Sequence, residues 1–297
     1  MTAPSISVVI TTYNRPAKLL RCIKAVAEQT QAPHETIIVN DGSAADYTEC
    51  KRYIAATPNM KWIEQTNQGV SAARNNGVDM SQGAFIAFCD DDDYWLPHHV
   101  ETLHAEITRK NGTPGIYHTF RKELNGEVWT DPTIHIKPPN ITWQEHYVTK
   151  GEMILCCTCI HRDAAKASPF PVGEKYAEDH EQRLVALNTY PCFPIHERTV
   201  VIDRTDESAT NRSIHEIAET YRNRLSTIFN LPEVSAHVRP KFRNSAKFRW
   251  TSLELSEASK HGSKKFRTQW IRSIQEVRTL QNAKTLILHL IWHIREK

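Results

Sequence analysis

The sequence predicts an α/β fold, with a mostly parallel, Rossmann-like central sheet flanked by helices and a helical extension at the C-terminus. Within the first 97 residues, short apolar runs alternate with amphipathic stretches of helical spacing. Clusters of Asn, Asp, Gly and Pro separate these segments. A chain of 297 residues can hold one large α/β domain and an appendage, or two modest domains. Because right-handed crossovers join successive parallel strands, their carboxyl ends meet at one edge, where ligands bind.

Individual elements follow from local patterns. Apolar and β-branched runs predict strands at residues 5–11, 36–39, 60–64, 84–89, 115–121, 126–130 and 153–161. Helical spacing predicts helices at residues 16–27, 46–56, 71–80 and 98–110, another beginning near His180, and mostly helix from Ser213 onward. Asn14 is the expected N-cap of the first helix, with Pro16 in its first turn. Asn125-Gly126 is the expected turn of a hairpin.

Composition indicates a globular cytoplasmic protein. Hydrophobic residues make up 40% and charged residues 24%. No apolar run reaches the roughly 18 residues of a membrane span, and no targeting peptide is visible. Seven cysteines, an odd number scattered through apolar segments, fit reduced thiols. Cys156, Cys157 and Cys159 lie in a predicted strand, whose alternating faces argue against a shared zinc ion.

Charge is distributed unevenly along the chain. Residues 239–297 carry 14 Lys/Arg and 4 Asp/Glu, whereas the other 238 residues carry 23 and 30. Residues 284–297 predict an amphipathic helix that is too short to span a bilayer. This helix either makes peripheral contact with the inner face of an anionic membrane or packs on protein, including a second subunit in a homodimer. Nucleic acid is not an expected partner, because the main body is acidic.

Four consecutive carboxylates, Asp90, Asp91, Asp92 and Asp93, follow the apolar run at residues 84–89. We call them the acidic tetrad. Each carboxylate repels the next and resists desolvation, so a divalent cation is the simplest partner for them. Oxygen ligands favour Mg²⁺ or Mn²⁺ over zinc. The alternative is a solvated acidic turn that caps the following helix.

Six segments resemble, in order, the motifs of family 2 inverting nucleotide-sugar glycosyltransferases of the GT-A fold. Any one of them alone is weak, but their combination is highly specific and extends over residues 5–211. The segments are residues 7–14 (Ser-Val-Val-Ile-Thr-Thr-Tyr-Asn), 37–43, 67–77, 83–95, the Phe-Pro pair at 170–171 and the Glu-Asp pair at 178–179.

The resemblance implies a role for residues at the ends of the first two strands. Thr11 and Tyr13 occupy the places of nucleotide contacts, and an exposed Tyr could stack on a base. Asp41 occupies the place of the acceptor for a uracil imide, and Arg74 that of a contact to base or phosphate. Without the resemblance, Tyr13 would be interpreted as a core ring, Asp41 as a turn residue and Arg74 as part of a solvated helix face.

The resemblance also implies the reacting groups. The family's Asp-x-Asp motif falls on Asp90-Asp91-Asp92, with Asp92 expected to hold the metal first and Asp90 second. Asp90 and Asp91 are also expected donor contacts, Asp90 alternatively at the ribose. Asp179 is the expected general base, which accepts the proton of the acceptor hydroxyl. The alternative for Asp179 is the N-terminal charge of a helix.

One family element is changed here. Members often carry Tyr-Arg-x-His before a Ser-x-Ser/Thr loop that folds over the diphosphate. Residues 201–210 keep Ser208 and Thr210 but not that register. Either Arg204 or Arg212 would then supply the positive charge.

The resemblance implies a metal-dependent inverting glycosyltransferase that moves a sugar, from a UDP-sugar by default, to a hydroxyl of a glycan or lipid-linked acceptor of surface polysaccharide or lipopolysaccharide. The expected domains are a catalytic domain at 1–212, with a nucleotide-binding half at 1–97 and an acceptor-binding half at 98–212, and a basic helical extension at 213–297. The alternatives are a nucleotidyltransferase of sugar-nucleotide synthesis and a non-catalytic binding module. Asn14-Arg15-Pro16 is not the Gly-rich loop that a nucleotidyltransferase usually carries.

Overall fold

A computed structural model of the chain describes residues 4–150, 153–174, 176–203, 221, 223–244 and 246. The chain divides into two compact units. The first comprises Met1–Ile136 and Glu152–Asp206, and the second comprises Lys137–Gly151 and Glu207–Lys297. The expected domain boundary at 212/213, Arg204 and Arg212, the Ser208–Thr210 loop and the helix at 284–297 all lie outside the described residues.

The first unit is built on a nine-stranded sheet of order β3-β2-β1-β4-β8-β6-β9-β5, with β7 paired to β6. Strands β1, β2, β3 and β4 are parallel to one another, as are β6 and β9, while the other pairs are antiparallel. The α/β class is therefore confirmed, with its parallel character concentrated in the first half. The strands are β1 Ile6–Thr12, β2 Glu35–Asp41, β3 Met60–Gln65, β4 Phe85–Asp90, β5 Tyr94–Trp95, β6 Ile116–Asn125, β7 Val128–Thr130, β8 Thr158–His161 and β9 Cys192–Asp203.

The strands β1 and β2 are buried along their whole length because helices cover both faces of the sheet. Ile38 of β2 joins the large core cluster that contains residues of three helices, for example Leu19 and Leu103. Its neighbours Ile37 and Val39 point the other way and pack with Ala73. This alternation is the physical reason that the three central residues of the strand, 37–39, are all apolar.

Register aligns the carboxyl ends of the parallel strands. Thr11 of β1 stands beside Asp90 of β4, Thr12 beside Asn40 of β2, and Asp41 beside Gln65 of β3. The polar residues that follow the apolar runs therefore meet at one edge, as expected.

The helices of the first unit agree with the predicted ones to within two residues. They are α1 Pro16–Ala27, α2 Thr48–Ala56, α3 Val70–Met80, α4 His99–Arg109, α6 Arg162–Ala167, which was not predicted, and α7 Glu178–Thr189. The prediction that Asn14 caps α1 is wrong, because the N-cap is Arg15. Asn14 has a positive φ of 56°, and its Oδ1 accepts hydrogen bonds from the backbone N–H groups of Ala44 and Ala45. It joins the loop after β1 to the loop after β2.

The segment at residues 153–161 is only partly a strand. A 3₁₀ turn at Leu155–Cys157 precedes β8, so the prediction of one continuous strand is wrong there. All seven cysteines are buried free thiols. No group of three or more His, Cys, Asp or Glu side chains that could hold a metal occurs among the described residues.

The described part of the second unit is helical. It contains α5 Trp143–Lys150, a helical stretch at residues 223–228 and the short helix α8 Pro232–Ser235. Thr142 and Glu145 form a capping box, in which each side chain bonds the backbone N–H of the other. The Glu145 carboxylate also accepts from the Arg239 guanidinium at 2.5 and 2.7 Å. In the described ranges, no helix is both long and apolar enough to cross a bilayer.

Candidate active site

A cavity of about 320 Å³ opens at the carboxyl ends of β1 and β2. Its wall includes three predicted nucleotide contacts, Thr11, Tyr13 and Asp41. Tyr13 is 47% exposed, so it is not the core ring of the alternative interpretation. The other lining residues are Thr12, Arg15, Asn67, Gly69, Val70 and Ala73. We call this space the edge cavity.

Asp41 holds the loop that forms one wall of the edge cavity. Its Oδ1 accepts hydrogen bonds from Gln65 Nε2 (2.8 Å) and from the backbone N–H of Gln68 (2.9 Å), and its Oδ2 accepts from the backbone N–H of Gly69 (2.9 Å). Since a carboxylate oxygen can accept two bonds, Oδ2 keeps one acceptor position for a ligand. Asp41 is therefore the last residue of β2 and a loop anchor, not a simple turn residue.

Gly42, next to Asp41, is required by the same loop. Its φ is +70°, and a Cβ atom there would lie 2.6 Å from the backbone nitrogen of Asn67. A glycine alone meets both conditions, so the loop after β3 can lie directly against the end of β2.

The acidic tetrad does not form the solvated helix cap that we considered, because α4 begins later, with His98 as its N-cap. Asp91 is completely buried and accepts from Thr12 Oγ1 at 2.7 Å, and its Oδ1 lies 3.0 Å from an Arg15 guanidinium nitrogen. Burial raises the pKa of the Asp91 carboxyl to about 7, although Arg15 and Thr12 oppose the shift. Asp91 thus faces protein groups.

Arg74 links Asp90 to the first turn of α7. The Arg74 guanidinium donates to Asp90 Oδ1 at 2.9 Å and to Glu178 Oε1, at the start of α7, at 2.8 Å. Arg74 is only 7% exposed and lies over the ring of Phe170, so it is not part of a solvated helix face. This contact brings together three segments of the resemblance that are separated by up to 104 residues in sequence.

Asp92 is the tetrad member that contacts two arginines, Arg15 at the N-cap of α1 and Arg21 within that helix. Its Oδ2 accepts from Arg15 Nη1 at 2.6 Å, and its backbone carbonyl accepts from Arg21 Nη2 at 2.7 Å. Arg21 also forms an ion pair with Asp203 at the end of β9. Arg15, Arg21 and Arg74 therefore supply positive charge to the tetrad from within the protein. Sequence reasoning missed Arg15 and Arg21, because their partners lie more than 70 residues away along the chain.

Asp179 lies in the first turn of α7, so it carries the charge expected at a helix N-terminus. Its Oδ1 is 2.9 Å from His180 Nδ1, and its Oδ2 accepts from Arg183. Burial disfavours the charged form, but Arg183 and His180 outweigh it and hold the pKa of Asp179 well below its usual value. The pKa of the adjacent Glu178 is instead raised, by burial and by the Asp179 charge, against the opposing effect of Arg74.

Asp90 and Asp92 have the chemistry that a hard divalent cation needs. Their side chains are 29% and 25% exposed, and each uses one carboxylate oxygen for an arginine. Mg²⁺ in such sites is usually held by one or two carboxylates, with water and substrate phosphate as the remaining ligands. The two residues therefore fit a divalent cation that binds together with a diphosphate.

Comparison with known proteins agrees with this geometry. The sequence model of the family described as "Glycosyl transferase family 2" matches residues 7–167, which include β1 to β4 and the whole acidic tetrad. The chain belongs to glycosyl transferase family 2. The matched region contains Thr11, Tyr13, Asp41, Arg74 and Asp90 to Asp92, while Glu178 and Asp179 lie beyond it.

Named relatives match the same region. The glycosyltransferase GlyA of Streptococcus pneumoniae is 34% identical over 120 residues, which cover 39% of this chain and 17% of GlyA. The uncharacterized glycosyltransferase YwdF of Bacillus subtilis is 39% identical over 102 residues, which cover 34% of this chain and 38% of YwdF. The chain thus matches well under half the length of these relatives.

Solved structures establish the fold over most of the chain. Residues 1–349 of S. aureus TarS, in complex with UDP-GlcNAc, match with a TM-score of 0.66 at 18% identity, covering 90% of this chain and 79% of that one. At this identity the likeness shows the fold alone, and it confirms the expected GT-A class.

Proposed function

We propose that this family 2 chain is an inverting glycosyltransferase, which transfers a sugar from a nucleoside-diphosphate donor to an acceptor hydroxyl. The observation that carries the proposal is the edge cavity, where Thr11, Tyr13 and Asp41 lie together beside the carboxylates that end β4. A UDP-sugar is the proposed donor, because the structurally similar TarS binds UDP-GlcNAc and UDP.

The donor's nucleoside occupies the edge cavity in this proposal. Tyr13 is exposed and available to stack on the base, and the remaining acceptor position of Asp41 Oδ2 suits the imide N–H of uracil. The guanidinium of Arg74 donates to both Asp90 and Glu178, so its proposed role is to hold these two carboxylates in place. Asp91 acts through Arg15, which it orients from inside the fold.

Asp92 and Asp90 are the proposed ligands of Mn²⁺ or Mg²⁺. Such a cation supplies Lewis-acid stabilisation of the departing nucleoside diphosphate. Arg21 fixes the backbone of Asp92 through its carbonyl, and Arg74 fixes the side chain of Asp90. The protein's own contribution is thus a rigid pair of carboxylates at the mouth of a buried strand.

Asp179 is the proposed general base. An ionised carboxylate can accept the proton of the acceptor hydroxyl as the sugar acquires positive character. His180 and Arg183 orient this carboxylate, but they also lower its pKa and hence its strength as a base. Glu178, whose pKa is raised, is the second candidate for the same role.

A screen of nucleotide sugars for hydrolysis and transfer, with Mn²⁺ and Mg²⁺ in turn, tests the donor, the metal and the activity together. In Asp179→Asn we expect turnover to fall by a factor of about 10²–10⁴, with binding of UDP and Mn²⁺ retained. Asp163→Asn is the matched control, since that side chain is 73% exposed. Normal turnover in Asp179→Asn together with loss in Glu178→Gln would move the role to Glu178.

Residues 1–97 are the proposed nucleotide-binding half and residues 98–212 the acceptor-binding half. We propose as acceptor a glycan or lipid-linked precursor of surface polysaccharide or lipopolysaccharide, which the amphipathic helix predicted from the sequence at residues 284–297 would approach by contacting an anionic membrane. Flotation with anionic liposomes, with and without residues 280–297, tests this contact. Equal partitioning of both forms would exclude the helix as an anchor.

A further inference from the structure

Arg15 contacts both the edge cavity and the acidic tetrad. Among the described residues that line the cavity, it is the only one with a cationic side chain. Its guanidinium bridges Asp91 Oδ1 at 3.0 Å and Asp92 Oδ2 at 2.6 Å, and its side chain is 36% exposed. Its backbone N–H donates to the Tyr47 hydroxyl, which also lies 2.9 Å from Thr12 Oγ1. The backbone of Arg15 is therefore anchored, while its side chain is partly exposed.

We propose that Arg15 is an internal counter-charge that couples metal binding to donor binding. Without ligands it neutralises Asp92. When a divalent cation occupies Asp92, the guanidinium turns to the donor's diphosphate in the edge cavity. This inference rests on the proposed function, because it takes Asp92 as a metal ligand and a nucleoside diphosphate as the occupant of the cavity.

The two carboxylates that Arg15 contacts differ in burial, and this difference permits the exchange. Asp91 is completely buried and also bonded to Thr12, so it keeps the guanidinium near the cavity. Asp92 is 25% exposed, so a hydrated cation can approach it from solvent. A guanidinium and a divalent cation on the same carboxylate repel each other, whereas a diphosphate offers the guanidinium a fork of acceptor oxygens.

The other two arginines of the tetrad are not placed for this role. Arg74 is 7% exposed and bridges two carboxylates, Asp90 and Glu178. Arg21 contacts the backbone carbonyl of Asp92 and the carboxylate of Asp203, and it does not line the edge cavity. Of these three arginines, Arg15 alone combines contact with a proposed metal ligand and access to the cavity.

The consequence is a measurable coupling between two ligands. Mn²⁺ that binds alone meets the positive charge of Arg15 on the same Asp92 carboxylate, whereas Mn²⁺ that binds with UDP finds the guanidinium already drawn to the diphosphate. In Arg15→Gln we therefore expect Mn²⁺ alone to bind about tenfold more tightly, since one unit charge is removed within a few ångströms of the cation. UDP alone should bind more weakly, and the enhancement of Mn²⁺ affinity by UDP should shrink.

The experiment is a titration of the full chain with Mn²⁺, followed by the electron paramagnetic resonance of the free ion, with and without saturating UDP. Arg52→Gln is the matched control, because Arg52 is exposed on α2. Tighter binding of Mn²⁺ alone in Arg15→Gln, with Arg52→Gln equal to wild type, supports the proposal. Unchanged or weaker binding in Arg15→Gln overturns it.

A second comparison covers the case in which Arg15→Gln fails to fold because Asp91 loses its counter-charge. Asp91→Asn is then compared with the double variant Asp91→Asn, Arg15→Gln, and the double variant should bind Mn²⁺ alone more tightly. Equal affinities overturn the proposal. If Asp92→Asn abolishes Mn²⁺ binding but neither comparison shows an effect of Arg15, the role of Arg15 fails and the proposed metal site stands. If wild type takes up no Mn²⁺ even with UDP, the proposed metal site and the role of Arg15 fail together.

Discussion

The variant Asp41→Asn tests whether this carboxylate anchors the neighbouring loop or contacts the uracil ring of the donor. In the wild type, Oδ1 accepts from Gln65 and Gln68, and Oδ2 accepts from the backbone N–H of Gly69. The asparagine oxygen can keep the first two bonds, but its NH₂ group then faces the Gly69 N–H. One bond to a charged acceptor, worth about 1.5–3 kcal/mol, is lost.

Since Asp41 is only 4% exposed, water does not replace that bond. We expect the loop at residues 66–70 to open more easily by about 2 kcal/mol, which corresponds to amide hydrogen exchange about thirtyfold faster. The assay is hydrogen exchange measured by mass spectrometry on a peptide that covers the loop, with UDP affinity measured by calorimetry on the same preparations.

Asp46→Asn is the matched control. Its exposed carboxylate also accepts a backbone N–H, that of Thr48, but it lies at the start of α2 and does not contact the loop. Its exchange at residues 66–70 should equal that of wild type. If Asp41→Asn loses UDP affinity with unchanged exchange in the loop, the anchoring role is refuted and a direct base contact explains the loss.

Three further changes test the architecture behind the site. Arg74→Met leaves Asp90 and Glu178 without their shared partner and should lower the free energy of unfolding by about 2–3 kcal/mol. Arg74→Lys should have an intermediate stability. A difference below about 0.5 kcal/mol between wild type and Arg74→Met in urea denaturation would contradict this. Glu35→Gln weakens bonds from Ser7, Lys61 and the Gln82 N–H and should cost about 2 kcal/mol near neutral pH. Burial opposes the charge of Glu35, but these bonds lower its pKa below 4.5, so the stabilisation is complete above that value and is lost as the pH falls through the lowered pKa. Thermal midpoints measured from neutral to acidic pH should therefore fall less steeply in the variant, and parallel curves would exclude the effect. Gly77→Ala places a Cβ 2.4 Å from Val9 Cγ1 and should destabilise the folded protein by about 1–3 kcal/mol. Adding Val9→Ala to this variant should restore part of the lost stability. Additive effects of the two changes would argue against this close contact.

Local patterns in the sequence were sufficient to predict the first half of the fold. The runs that became β1, β2 and β4 are apolar at their centres because helices bury both faces of the sheet, and such continuous apolar runs can be recognised in the sequence. The polar residues after these runs were expected at one edge, and the register places Thr11 beside Asp90 there. The segments of the family resemblance also lie in order along the chain.

The second half of the sheet and the partners of each charge were decided by tertiary structure. Strand β8 runs antiparallel between β4 and β6, and neither neighbour is adjacent to it in sequence. A run of four aspartates in the sequence shows where the negative charge lies, but it does not show which side chains neutralise that charge. Arg15, Arg21 and Arg74 reach the acidic tetrad only because α1 and α3 pack on a sheet whose edge brings their ends together. The pattern of apolar and polar residues is a local property that can be read from the sequence. The pairing of charges depends instead on distances that exist only once the chain has folded.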